Sequence, residues 1–126
     1  MNKSDSKQVL VVDDDAMNRE VMEAFLLSEG YAVLLASSGE QGLAFALEHL
    51  PNAIILDVRM PDMSGYDVCE QLKNDDTTKD IPIMIMTGFD AKEDFERGKA
   101  VGADEFLTRP FDGDVLLSRI HNMIFG

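Results

Sequence analysis

A doubly wound α/β sandwich of five βα units is the fold this sequence predicts, and three observations predict it. Strand-like and helix-like segments alternate from one end of the chain to the other, with no repeat, low-complexity tract or linker between them. Four strand candidates are nearly unbroken apolar runs, the pattern of parallel strands buried on both faces. Each of these runs stops on a residue able to handle phosphate or metal. Gln8-Val9-Leu10-Val11-Val12 leads into Asp13-Asp14-Asp15, and Ala53-Ile54-Ile55-Leu56 into Asp57. Ile83-Met84-Ile85-Met86 ends on Thr87, and Glu105-Phe106-Leu107-Thr108 on Arg109-Pro110. Open parallel sheets bind ligands in the crevice outside the carboxyl ends of their strands, so these residues share one edge.

The elements follow in order. A strand over 8–13 precedes a helix over 16–28, capped by Asp15. Met17, Val21, Phe25 and the Leu26-Leu27 pair fall at roughly helical spacing and are expected in the core. Gly30 sits where the helix end wants a left-handed residue, and a strand over 31–36 follows. Ser38 with Gln41 forms a capping-box pattern for a helix over 39–49, whose Leu43 and Leu47, with Leu50, also read as core. The strand over 53–57 leads through Met60-Pro61 to Ser64 and Asp67, which open a helix over 64–74. Cys69 on that helix, near Val68 and Leu72, reads as a buried, inert thiol. Residues 74–80 read as a solvated loop. A strand over 81–86 precedes a helix over 90–101 opened by Asp90 and Glu93 and closed by Gly102. A strand over 104–108 and a helix over 112–124, capped by Asp112, complete the chain. His49 and His121 lie near helix C-terminal ends, where positive charge is favoured.

The totals bound the function. The 126 residues make one domain, with a core over about 8–124 and no output domain expected. A formal net charge of −13 argues against direct binding to nucleic acid or to an anionic membrane, both of which want a basic face. The chain lacks an apolar run of the roughly 18 residues a span needs, and its polar start does not resemble a signal peptide. The single cysteine cannot form an internal disulfide, so a cytoplasmic location is expected.

The carboxylates carry the chemistry. With the first and third strands as neighbours, Asp13, Asp14 and Asp57 converge, and two such charges about 4 Å apart repel by roughly 4 kcal/mol at an effective dielectric of 20. A raised pKa or a bound divalent cation relieves this. An all-oxygen site with no His or Cys nearby in sequence suits Mg²⁺ rather than zinc. Asp57 stands alone at a strand end and is the better candidate for a nucleophile toward phosphorus, whereas the Asp13/Asp14 pair is better placed to hold metal. The plainer alternative, that strand-end aspartates cap the next helix, fits Asp15 well and Asp57 poorly. Thr87 and Arg109 complete a clamp in which a hydroxyl and a cation meet phosphoryl oxygens.

Val11-Val12-Asp13-Asp14-Asp15, Leu56-Asp57, Met60-Pro61-Asp62-Met63-Ser64-Gly65, Met86-Thr87-Gly88 and Arg109-Pro110-Phe111 together resemble the receiver domain of two-component response regulators. The resemblance covers the whole chain. It implies a flavodoxin-like fold with strand order 2-1-3-4-5, and Asp57 as acceptor of a phosphoryl group from a sensor histidine kinase or histidine phosphotransfer protein. It further implies Mg²⁺ held directly by Asp14 and Asp57, by the backbone carbonyl of Arg59, and by Asp13 through water. Thr87 would move toward the phosphoryl group, and Phe106 would be the aromatic switch that follows it. The signal would be read by a downstream effector protein on the face formed by the fourth helix, fifth strand and fifth helix. Lys92, Arg97, Lys99 and Arg119 on that face, beside Glu93, Asp94 and Glu96, can support a homodimer, although exposed ion pairs are too weak to predict one.

One departure stands out: Arg109 replaces the family's lysine. A planar fork is not equivalent to a mobile ammonium at a crowded site, so the coupling of phosphorylation to the switch is the step this residue affects. The Arg109-Pro110 bond is expected to be cis, as the family's Lys-Pro bond looks to be. Arg59 and Phe89 lie two residues after Asp57 and Thr87, where the family's side chains flank the path of attacking water, and bulky Phe89 is expected to slow loss of phosphate. Two other readings are a binding module whose receiver chemistry has degenerated, and a Mg²⁺-dependent phosphohydrolase with an aspartate nucleophile and Asp13/Asp15 as its D-x-D pair.

Overall fold

The computed structural model describes residues 7–88 and 91–126. Five strands, β1 (Gln8–Val12), β2 (Ala32–Ala36), β3 (Ala53–Asp57), β4 (Ile83–Thr87) and β5 (Glu105–Thr108), form one parallel sheet ordered β2-β1-β3-β4-β5. Five helices alternate with them: α1 (Ala16–Ser28), α2 (Gly39–His49), α3 (Gly65–Lys73), α4 (Ala91–Ala100) and α5 (Gly113–Phe125). This is the expected flavodoxin-like sandwich. Every residue of β3 and β4 is buried, as their unbroken apolar runs require.

The sheet divides the core into two layers. Leu10, Val12, Ile54, Leu56, Ile83 and Ile85 point toward α2 and α3 and meet Ala46, Val68, Cys69 and Leu72. Val9, Val11, Ile55, Met84, Met86 and Leu107 point the other way, onto Met22 and Leu26 of α1 and Leu116 and Ile120 of α5. Alternation along each strand, one residue to each face, produces both layers from the same runs.

Caps fix the helix starts. Asp15 accepts hydrogen bonds from the Met17 and Asn18 amides, and Asp112 from those of Asp114 and Val115. Ser38 and Ser64 accept from Gln41 and Asp67. Gln41 Oε1 reaches the Ser37 amide, one residue before the cap, rather than the Ser38 amide a standard capping box would use. The Asp90 end of the fourth capping pattern lies outside the described residues. Gly30 and Gly102 adopt the left-handed conformation expected of them, with φ of 88° and 95°. Because Gly30 and Tyr31 close α1 by bonding back to Leu27 and Leu26, β2 starts at Ala32 rather than Tyr31. Ile81 bonds back to Thr78 and Pro82 has no amide hydrogen, so β4 starts at Ile83 and extends to include Thr87.

Three expectations about the core are corrected. Met17, Val21, Phe25 and Leu27 are exposed; Leu26 is buried as expected, and Met22 is the other residue that α1 buries. Leu47 and Leu50 are also exposed, because α2 faces the sheet with Gly39, Gly42 and Ala46. Small residues let α2 approach so closely that a Cβ on Gly42 would fall 2.8 Å from the Val12 side chain, and the leucines are left at the rim. Within the 74–80 loop, Thr78 is fully buried and donates to the Leu72 carbonyl at the end of α3, so that loop is not wholly solvated.

Candidate functional site

Register assembles the site. Val12 pairs with Leu56, so Asp13 and Asp57 follow side by side where β1 and β3 end. Asp57 pairs with Met86 and Thr87 with Thr108, which brings Thr87 and Arg109 to the same edge. The Arg109 amide donates to the Thr87 carbonyl at 2.9 Å and closes the edge beyond the last ladder pair. The Arg109–Pro110 peptide bond is cis, as expected.

Oxygens of Asp13, Asp14 and Asp57 lie within 4.8 Å of one another. Asp13 and Asp57 are buried and Asp14 is exposed. Asp13 is tightly held: its Oδ1 accepts from the Asp15 amide at 2.9 Å, and its backbone carbonyl accepts from Arg19 Nη1 at 2.7 Å. Asp57 Oδ1 accepts from the Arg59 amide at 3.4 Å. Arg109 crosses the cluster, with Nη2 at 2.5 Å from Asp13 Oδ2 and Nη1 at 3.3 Å from Asp57 Oδ1.

Burial dominates the electrostatics. It raises the Asp57 carboxyl from 3.8 to about 6, against the pull of Arg109 and with a further push from Asp13. Burial also raises Asp13, against the Asp15 amide and Arg109. One guanidinium therefore leaves two buried carboxylates under-neutralised. An all-oxygen cluster with two buried acids and an open third one fits a hard divalent cation.

The remaining expected residues sort as follows. The Thr87 side chain is buried, with its hydroxyl 3.5 Å from that of Thr108. Phe106 is turned inward, stacked on Phe95 at 4.2 Å between centroids, and its carbonyl accepts from Arg119. The Arg59 side chain is exposed and stands 4.0 Å from Asp94, whose other oxygen accepts from the Tyr66 hydroxyl at 2.5 Å. Asp15 serves as the α1 cap, the plainer of its two readings. Phe89 lies outside the described residues. Of the cations considered for a dimer, Arg97 sits over the Tyr66 ring at 4.4 Å and Lys99 over Phe95 at 4.7 Å.

Arg19 and Asp62 also support the site, in roles that the sequence does not announce. Arg19 steadies the Asp13 backbone, and Asp62 reaches across from the segment after β3 to accept from the Gly39 and Glu40 amides at the start of α2. The Asp62 contact leaves no local signal, since it joins segments that only the fold brings together, whereas Arg19 reaches back within the β1–α1 connection.

A family model for the response regulator receiver domain matches residues 9–121. The chain belongs to this family. The response regulator PleD of Caulobacter vibrioides is 42% identical to this receiver domain over 118 residues, 94% of this chain and 26% of PleD. The chain spans between 26% and 50% of the length of the curated relatives it matches. A putative response regulator from Chloroflexus aurantiacus J-10-fl superposes with a TM-score of 0.92 at 33% identity, covering 95% of this chain and 98% of that one. The receiver domain of sensor histidine kinase PA1611 from Pseudomonas aeruginosa PAO1, described with a magnesium ion coordinated in its active site cleft, gives 0.89 at 28% identity over 95% and 98% of the two chains. In this receiver domain, Asp13, Asp14 and Asp57 are the described residues that could together hold such an ion.

Proposed function

We propose that this receiver domain accepts a phosphoryl group on Asp57 in a Mg²⁺-dependent reaction and passes the signal through α4, β5 and α5. The observation that carries this reading is the meeting of Asp13, Asp14, Asp57, Thr87 and Arg109 at one sheet edge. Asp14 and Asp57 would hold the metal directly, the Arg59 carbonyl would be a third ligand, and Asp13 would act through water. When bound, the metal supplies positive charge to the oxygens of the transferring group. Both contacts to Asp57 fall on Oδ1, which leaves Oδ2 to attack phosphorus. The donor is a phosphohistidine of a sensor kinase or phosphotransfer protein: its P–N bond breaks as the new P–O bond forms, and the departing imidazole takes a proton from solvent. Thr87, held among the described residues by a long contact to Thr108, can turn its hydroxyl to one phosphoryl oxygen while Arg109 meets another. The product carries about 1.5–2 negative charges where the carboxylate carried one, and a downstream effector in the cytoplasm reads the response.

The phosphohydrolase reading needs Asp15 beside Asp13, but Asp15 caps α1 through Oδ1 and stands outside the cluster of Asp13, Asp14 and Asp57. The degenerate-module reading predicts no chemistry at a cluster that retains every acid. Intact mass after incubation with acetyl phosphate tests the proposal. A Mg²⁺-dependent adduct is expected on the parent chain and not on Asp57→Asn. No adduct with or without Mg²⁺, together with no beryllofluoride binding, would reject phosphoacceptance in favour of a binding module.

A further inference from the structure

Arg109 occupies the middle of the carboxylate cluster in an unusual way. Its two terminal nitrogens are shared between two different buried acids, Asp13 at 2.5 Å and Asp57 at 3.3 Å. Its Nε is buried with no hydrogen-bond partner among the described residues. A guanidinium that leaves one N–H unsatisfied is held by its other contacts, since an orphaned buried donor is costly. Those contacts are the charge-assisted bonds to Asp13 and Asp57, which otherwise repel across the edge. The oxygens that Arg109 grips also belong to the acids expected to serve the metal.

We infer that Arg109 is the resident counter-cation of this site and competes with the divalent ion for Asp13 and Asp57. The inference rests on the Mg²⁺ site proposed above. The planar fork allows the competition, because two terminal nitrogens can serve two carboxylates at once. A lysine ammonium at the same position carries the same charge on a single mobile nitrogen with three donors in place of five, so it grips the pair less firmly. Metal binding must therefore loosen at least one arm of the guanidinium, and this receiver domain requires more Mg²⁺ for half-saturation than a lysine version of itself. Loosening frees Arg109 at the step when a phosphoryl oxygen needs a cation, so metal loading and release of Arg109 are one event.

The test compares Mg²⁺ binding by calorimetry in the parent chain, Arg109→Lys and Arg109→Gln. Melting in EDTA is measured for the same three proteins. Arg109→Lys is expected to bind Mg²⁺ several-fold more tightly, and Arg109→Gln roughly tenfold or more, within the usual range of coupling between sites. The metal-free melting temperature of Arg109→Gln should fall by several degrees, and its rise on adding Mg²⁺ should exceed that of the parent. Because lysine preserves the charge, equal affinity in Arg109→Lys and the parent would overturn the inference while leaving the metal site intact. Absence of Mg²⁺ binding in all three would overturn the metal site itself and the inference with it. A readout independent of folding in the variants is the Nε–H resonance of Arg109 in the parent. It should shift during a Mg²⁺ titration while that of Arg119 stays in place, and an unmoved Arg109 signal at saturating Mg²⁺ would reject the competition.

Discussion

Asp57 bears two opposed demands at the scale of one residue. In the proposed reaction it must be ionised to attack phosphorus, and it lies 4% exposed beside a second buried acid. Its carboxyl rises from 3.8 to about 6 because burial strips water from the charged form. The native state therefore holds its proton more firmly than the unfolded chain does, and the carboxyl adds nothing unfavourable below about pH 3.8. Stability is lost as pH rises through that window to about 6, and above it the full penalty applies. The displacement corresponds to on the order of 2–3 kcal/mol at neutral pH. In metal-free buffer Asp57→Asn should accordingly unfold at a higher temperature than the parent at pH 7.5, by several degrees. That gap should shrink to roughly half by pH 5, where the native carboxyl is already mostly protonated. Parallel melting profiles from pH 5 to 7.5 would show that burial does not penalise this carboxylate. The residues of this site were legible in the sequence because each ends an apolar run, and strand ends are where a parallel sheet exposes polar groups. What Arg109 grips was not legible. Only the register of β1, β3 and β5 sets a guanidinium between two particular acids.

Helix and strand positions were similarly readable at the scale of elements, while the buried side of each helix was not. Met17, Val21 and Phe25 form a clean helical stripe, yet they lie one position round α1 from the face that packs on the sheet. Phe25 meets Phe111 edge-on instead, and a Cβ on Gly113 at the start of α5 would fall 2.3 Å from its ring. The α2 contact face is likewise invisible to an apolar count, because glycine and alanine make it. Close approach also governs Phe106. A Cβ on Gly98 of α4 would fall 2.4 Å from the Phe106 ring, so the inward ring depends on a missing side chain. Alanine is favoured over glycine in a helix interior by about 1 kcal/mol. Gly98→Ala should still fail to stabilise the parent, and should cost about 1–2 kcal/mol through crowding of the ring. In a Phe106→Ala background the same change should stabilise by about 1 kcal/mol. Urea unfolding of the four proteins gives the coupling, and equal effects in both backgrounds would mean that Phe106 does not rest on α4.

Across the whole molecule, the site and the α4–β5–α5 face are joined by short contacts rather than by distance alone. Arg109 bonds the end of β4 through the Thr87 carbonyl, and Thr87 faces Thr108 across the ladder. Two residues before Thr108, Phe106 stacks on Phe95 of α4 and accepts at its carbonyl from Arg119 of α5. A parallel link runs from Arg59, beside Asp57, to Asp94 of α4, which Tyr66 of α3 also holds. Opposite them, α2 is held by the Ser38 cap and by Asp62, and packs on Val12 through glycine. On the function proposed above, a charge placed on Asp57 would act on groups that already have partners in α4 and α5, and would reach α2 through Asp62 and the closely packed core. Binding of beryllofluoride with Mg²⁺, a stable mimic of the phosphoryl group, should change backbone amide resonances at Thr87, Phe95, Gly98, Phe106 and Arg119. Amides of Leu43, Ala46 and Leu47 on α2 should move far less. Asp57→Asn should abolish both sets of changes. Perturbation confined to the Asp13 and Asp57 ends of the strands would separate phosphoryl binding from signalling. Perturbation as large on α2 as on α4 would assign the output to a different face.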